Sequence, residues 1–151
     1  MKFNICSVVL IGILGGTSLC YAETANDKTT IEEVKQQTDD LLQTLDAYTV
    51  EQKDEAIRKT KMALANLDKR IDALEARIDE SWDKMSKKAR EEASDSLKAL
   101  HKQRNEVAEW YGSMKNSTGN AWGNMKKGFS DAYKDLNDTW EKSENEFGSS
   151  K

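Results

Sequence analysis

Few residues in this chain are of types that carry chemistry. His101 is the only histidine. A catalytic triad or a zinc site needs a histidine beside a nucleophile or beside further nitrogen and sulfur ligands. The neighbours here are Lys102, Arg104 and Glu106, the pattern of a solvated helix face. Carboxylates are plentiful, but Asp39-Asp40, Glu32-Glu33 and Glu91-Glu92 are adjacent pairs. Adjacent positions on a helix diverge by about 100°, whereas a glycosidase needs two carboxyls converging across a cleft. No glycine-rich phosphate loop follows a strand, because no strand pattern is visible. These residues nominate no catalytic group, no cofactor and no metal ligand, so the expectation is a protein that is not an enzyme.

The two thiols, Cys6 and Cys20, belong to the start of the chain. Lys2 gives a short positive start, Ile5 to Leu14 form an apolar run, and Gly15, Gly16, Thr17 and Ser18 bring in small residues before Cys20-Tyr21-Ala22. This is the three-part layout of a secretory signal peptide over residues 1–22, cleaved between Ala22 and Glu23. The apolar run is shorter than the ~20 residues that span a bilayer. Lipoprotein processing at Cys20 is the competing reading, but Leu19 is not the small residue expected before such a cysteine. Cleavage after Ala22 removes both cysteines, so the mature chain can hold no disulfide. The full chain has 23 basic and 27 acidic residues; removing Lys2 leaves a net charge of −5. The expected location is outside the inner membrane, most simply the periplasm. The acidic balance lacks the basic excess that nucleic-acid binding requires.

What positions these residues is helix. The chain contains no proline, which argues against a loop-rich or β-rich fold and for an all-α one. Residues 23–29 read as a mobile leader. Thr30-Ile31-Glu32-Glu33 fits a capping box that starts a short amphipathic helix at Ile31 over 30–48, with Ile31, Val34, Leu41, Leu42 and Leu45 in one stripe. A second box, Thr49-Val50-Glu51-Gln52, opens a long helix over 49–114. Ile57, Leu64, Ile71, Ile78 and Met85 fall seven apart, interleaved with Thr60, Leu67, Leu74 and Ser81, as in a coiled-coil seam. The 89, 93, 97 spacing is a stutter, where a supercoil should locally unwind. Lys115 to Asn120 is the clearest breaker and reads as a hinge at 115–120, followed by an aromatic helix over 121–147 and a tail over 148–151.

At 1.5 Å per residue a helix of about 63 residues would run roughly 95 Å. Two arrangements satisfy its stripe: a hairpin-like molecule in which the two short helices fold back from opposite ends, or an extended rod whose seams pair between chains. Self-association adds stability in either case.

The aromatic end departs from a plain coiled coil. Of the nine aromatic residues after position 22, seven lie at or beyond 110: Trp110, Tyr111, Trp122, Phe129, Tyr133, Trp140 and Phe147. With Met125 and Leu136 they form the candidate interaction surface. Such residues bury large area, either against the chain itself or against something else. Three fates are open: packing on the long helix, docking on an envelope protein or other apolar surface, or lying on a membrane surface. For the last, Lys126, Lys127 and Lys134 are offset by Asp131, Asp135 and Asp138, which leaves no cationic face. Asn116-Ser117-Thr118 and Asn137-Asp138-Thr139 match the glycosylation acceptor pattern, which matters only in a eukaryotic secretory pathway.

The run Ala121-Trp122, Met125-Lys126, Gly128-Phe129, Ala132-Tyr133 and Leu136, preceded by a heptad helix ending in Leu97, Leu100 and Arg104, resembles a family of small bacterial coiled-coil proteins catalogued as stress-response proteins. The resemblance covers roughly Ala63 to Trp140, and its most specific part is the Ala-Trp pair with the following glycine. It implies a non-catalytic role with no defined ligand, and the export signal moves that role to the cell envelope. The expectation is therefore an exported, non-enzymatic structural or interaction protein; the alternative is a lipid-associated or holdase-like protein that uses the aromatic helix.

Overall fold

The computed structural model describes residues 26–148, with side chains from Ile31 onward. The expected signal at 1–22, the Ala22–Glu23 cleavage point, Cys20 and residues 149–151 lie outside that range. Among the described residues every element is helical: α1 (Asn26–Ala47), α2 (Lys53–Ser81), α3 (Lys87–Lys115) and α4 (Gly119–Ser143), with short 3-10 turns at Val50–Gln52 and Trp82–Lys84 and a closing π-helical turn at Glu144–Gly148. The all-α expectation holds.

The single long helix over 49–114 does not. It is divided at Trp82–Ser86 into α2 and α3, which fold back on one another. Met85 takes an extended conformation, and so does Ser86, whose hydroxyl accepts from the Ala89 amide at 3.2 Å as the N-cap of α3. The orphan amides of a new helix start are thereby partly satisfied. Arg90 braces the corner from the other side: its Nε donates to the Trp82 carbonyl at 2.8 Å, and its guanidinium lies 5.6 Å from the Trp82 ring centroid. Helix α3 runs unbroken through the 89–97 spacing, as a stutter, which alters supercoiling and not helix continuity, allows.

Two other boundaries shift. Helix α1 begins at Asn26 rather than Ile31, so four of the residues expected in a mobile leader are helical. The hinge over 115–120 is a turn of only Asn116–Thr118, followed at once by α4. Its Ser117 hydroxyl donates to the Met114 carbonyl at 2.8 Å, and Lys53 Nζ donates to the Ser117 carbonyl, also at 2.8 Å, which ties the turn to the start of α2.

Cross-helix contacts fix the topology. Arg104 pairs with Asp68 across α2 and α3; Lys35 pairs with Glu141 across α1 and α4, whose other ends meet where Trp122 Nε1 donates to the Tyr48 carbonyl at 3.0 Å. Arg70 donates to Gln37 across α1 and α2. Each helix therefore runs antiparallel to the next, and α1 and α3 each lie between α2 and α4. This is an up-down bundle folded from one chain. The heptad positions Leu64, Leu67, Ile71, Leu74, Ile78, Leu100, Val107 and Met114 are all buried, as are Val34 and Leu45 of α1. Thr60, the polar member of the seam, donates to the Ala56 carbonyl at 3.0 Å and so enters the core satisfied.

Candidate functional site: the aromatic seam and the cleft beside α1

The aromatic helix is docked. Trp122, Phe129, Tyr133, Leu136 and Trp140 are buried, with the Phe129 and Tyr133 rings stacked at 5.6 Å between centroids. Met125, Tyr111 and Phe147 are partly buried against the same core. Their partners are chiefly α3, the second half of the expected long helix, and α1; of the three open fates the chain takes the first. Burying each such side chain contributes about 1.5–3 kcal/mol, so the five buried ones together contribute roughly 10 kcal/mol. That is comparable to the whole net stability of an ordinary domain, about 5–15 kcal/mol. Releasing α4 therefore amounts to unfolding the bundle.

Trp110 is the exception, at 38% exposed. Its ring lies on Gly128: a β-carbon built there would stand 2.4 Å from Trp110 Cζ3. The glycine in the aromatic pattern is thus the space that lets an α3 ring lie flat against the α4 backbone. At the other end of α4, the Glu144 carboxylate is almost fully buried and receives Arg77 Nη2 on both oxygens, at 2.6 Å on Oε2. Gly148 leaves room for that carboxylate, since a β-carbon there would stand 2.4 Å from Glu144 Oε1.

His101 faces Glu75 across α2 and α3 at 3.5 Å, and both side chains are exposed to water. No group of three or more potential ligands for a metal is assembled among the described residues, and no described helix is long and apolar enough to cross a membrane. Asn137, the first residue of the second sequon, is 3% exposed and cannot meet a glycosylating enzyme in the folded chain.

One concave feature lies between α1 and α2. It is a cleft of about 310 Å³. Helix α1 supplies Gln37, Thr38, Leu41 and Thr44 with Asp40 at the rim; α2 supplies Lys59, Met62, Ala63, Asn66 and Arg70; Tyr133 of α4 forms the floor. Burial raises the Tyr133 phenol above its ordinary 10.0, while Arg70 and a Thr38 hydrogen bond pull the other way. Arg70 is lowered by burial, with Tyr133 and Glu33 acting against that. Of the cleft residues, only Tyr133 belonged to the expected interaction surface. The others were legible only as spacing: Lys59, Ala63, Asn66 and Arg70 fall four, three and four apart, one face of α2 beside the seam.

No protein-family model matches the chain, no curated protein matches it, and no solved structure matches it.

Proposed function

We propose that the chain is an exported, non-enzymatic helical-bundle protein of the cell envelope that acts by contact with other molecules. The observation that carries this reading is the use of its polar groups. Among the described residues, the ion pairs Lys35–Glu141, Arg77–Glu144 and Arg104–Asp68, and the approach of His101 to Glu75, each join one element to another. That leaves surface and cleft, rather than a reactive constellation, as the working parts. The leader-like residues 1–22 support export, and the resemblance to coiled-coil stress-response proteins supports envelope stress as the setting.

Osmotic release of the periplasm from cells making the full chain tests the location, with N-terminal sequencing of the released protein. The expected product begins at Glu23. A chain retained in the cytoplasm with Met1 intact, or one recovered from membranes beginning at Cys20, would contradict it. For the contact role, a photo-crosslinking residue at exposed Trp82 or Trp110 should give discrete adducts in living cells, and one at buried Leu100 should not. Adducts absent from all three positions would count against an interaction role.

The lipid-associated or holdase-like alternative needs α4 to swing free. The docking energy above and the Lys53 tie on the turn before α4 weigh against it. Its signature would be a blue shift of tryptophan emission with vesicles or unfolding client at temperatures where the bundle stays folded.

A further inference from the structure

Arg70 is unlike the other arginines at the helix interfaces. Arg77 and Arg104 each reach a carboxylate through two hydrogen bonds. Arg70 is half-buried and has only neutral partners: the Gln37 side-chain oxygen at 3.3 Å and the face of Trp140, 6.0 Å from the ring centroid. Glu33 acts on it electrostatically, but among the described residues it makes no ion pair with Arg70. A guanidinium drawn partly out of water with no carboxylate fork is costly to keep unless an anion completes it.

Two further observations bear on Arg70 and its cleft. Trp140, whose ring faces the Arg70 guanidinium, has its Nε1 buried with no hydrogen-bond partner; it does not line the cleft itself but lies two turns along α4 from Tyr133, which does. Buried polar groups are rarely left so without a reason. Met62, the most exposed large apolar side chain among the described residues, at 60%, lines the same cleft beside Leu41 and Ala63. The other cation of the cleft, Lys59, sits over the Tyr48 ring at 5.4 Å, and Asp40 is the one carboxylate in the lining. Lys59 and Arg70 are eleven residues apart, roughly 16 Å along the helix at 1.5 Å per residue. A cation without a carboxylate bonded to it among the described residues thus borders a short trough of mixed lining, whose apolar wall is Leu41, Met62 and Ala63.

We propose that this cleft binds a small anionic amphiphile, a medium-chain carboxylate or alkyl phosphate, with its anionic head on the Arg70 guanidinium and its chain along Leu41, Ala63 and Met62. The volume suits a single short chain, at the lower end of ligand pockets. Head and tail are both required, since an anion alone leaves Met62 and Leu41 wet and a neutral chain leaves Arg70 without its counter-charge. The proposal does not depend on where the protein resides, so it can fail while export and the contact role stand.

The test is calorimetric titration of the chain from Glu23 onward with decanoate, decyl phosphate, decanol, decyltrimethylammonium and inorganic phosphate, each below its micelle-forming concentration. Movement of the Trp140 indole N–H resonance is the second readout. Decanoate or decyl phosphate should bind one to one and shift that resonance, and the stronger of the two identifies the head group. Arg70→Gln should weaken binding about tenfold or more, since hydrogen bonds to charged groups are the strong ones. Met62→Glu, at an exposed position, should weaken it without changing thermal stability. Equal binding of decanol or decyltrimethylammonium would overturn the role of Arg70, as would unchanged affinity in the glutamine variant. Phosphate alone binding as tightly as decyl phosphate would overturn the role of the chain. Absence of binding by both anionic amphiphiles would overturn the proposal outright.

Discussion

Gly128 sits inside a helix, where alanine ordinarily stabilises by about 1 kcal/mol. Here the sign should reverse. A β-carbon at 128 would stand 2.4, 2.5 and 2.7 Å from three atoms of the Trp110 ring, so the ring has to leave the α4 backbone. Trp110 is 38% exposed; about 60% of a side chain that buries 150–250 Å² is therefore covered, roughly 120 Å². At about 25 cal/mol per Å² that cover contributes at most ~3 kcal/mol. Displacing the ring forfeits most of it, and the helix-propensity gain offsets part. Gly128→Ala should thus cost about 1 kcal/mol and Trp110→Ala about 2 kcal/mol, while the double variant should cost only about 1, because alanine at 128 then acts through propensity alone. The coupling is about 2 kcal/mol. Urea unfolding followed by far-ultraviolet circular dichroism measures all four corners of the cycle. Additivity within about 0.3 kcal/mol, or stabilisation by Gly128→Ala alone, would refute the contact.

Ser86→Ala should cost about 1 kcal/mol as a lost N-cap, whereas in a continuous helix the same change would stabilise by a few tenths; thermal unfolding separates the two signs. Arg77→Met removes both Nη2 hydrogen bonds from the buried Glu144 carboxylate and should cost about 3 kcal/mol in urea unfolding. An effect below about 0.5 kcal/mol, typical of a surface pair, would remove the clasp from the account. Because the folded Tyr133 phenol is raised above 10.0, its contribution is intact below about pH 10 and is lost as pH rises through the folded value. Tyr133→Phe should therefore flatten part of the alkaline fall in stability, measured as the difference between the two proteins from pH 9 to 11. The difference matters because Lys35 and Lys59, also raised by their partners, lose favourable charge in the same direction.

Much of the interior was legible because burial follows periodicity. Leu64, Leu67, Ile71, Leu74 and Ile78 were placed on one stripe by spacing alone, and all are in the core. The start near Thr49 was legible too: its backbone N–H donates to Gln52 Oε1 at 3.1 Å. The fold at Trp82–Ser86 was not. That stretch holds no glycine or proline, Met85 continues the heptad, and Ala89 supplies no acidic partner to complete a capping box. A stripe that seals a straight rod seals a folded hairpin equally well, so periodicity alone does not separate them. The same logic hid the cleft. Arg70 belongs to a charge pattern that reads as solvated, and its lack of a carboxylate appears only when α1 and α4 close around it. The aromatic residues were singled out for size, and size is what the core used.

The claim on which the rest depends is that the chain closes its own apolar stripes, which frees the cleft beside α1 as the working surface. Light scattering coupled to small-angle X-ray scattering on the chain from Glu23 to Lys151 tests it directly. Helices of 25 to 29 residues are about 37–44 Å long, so a compact monomer or side-by-side dimer is expected, about 50–60 Å in maximum dimension per chain. A particle of roughly 95 Å or more, the length of an unbroken central helix, would contradict it.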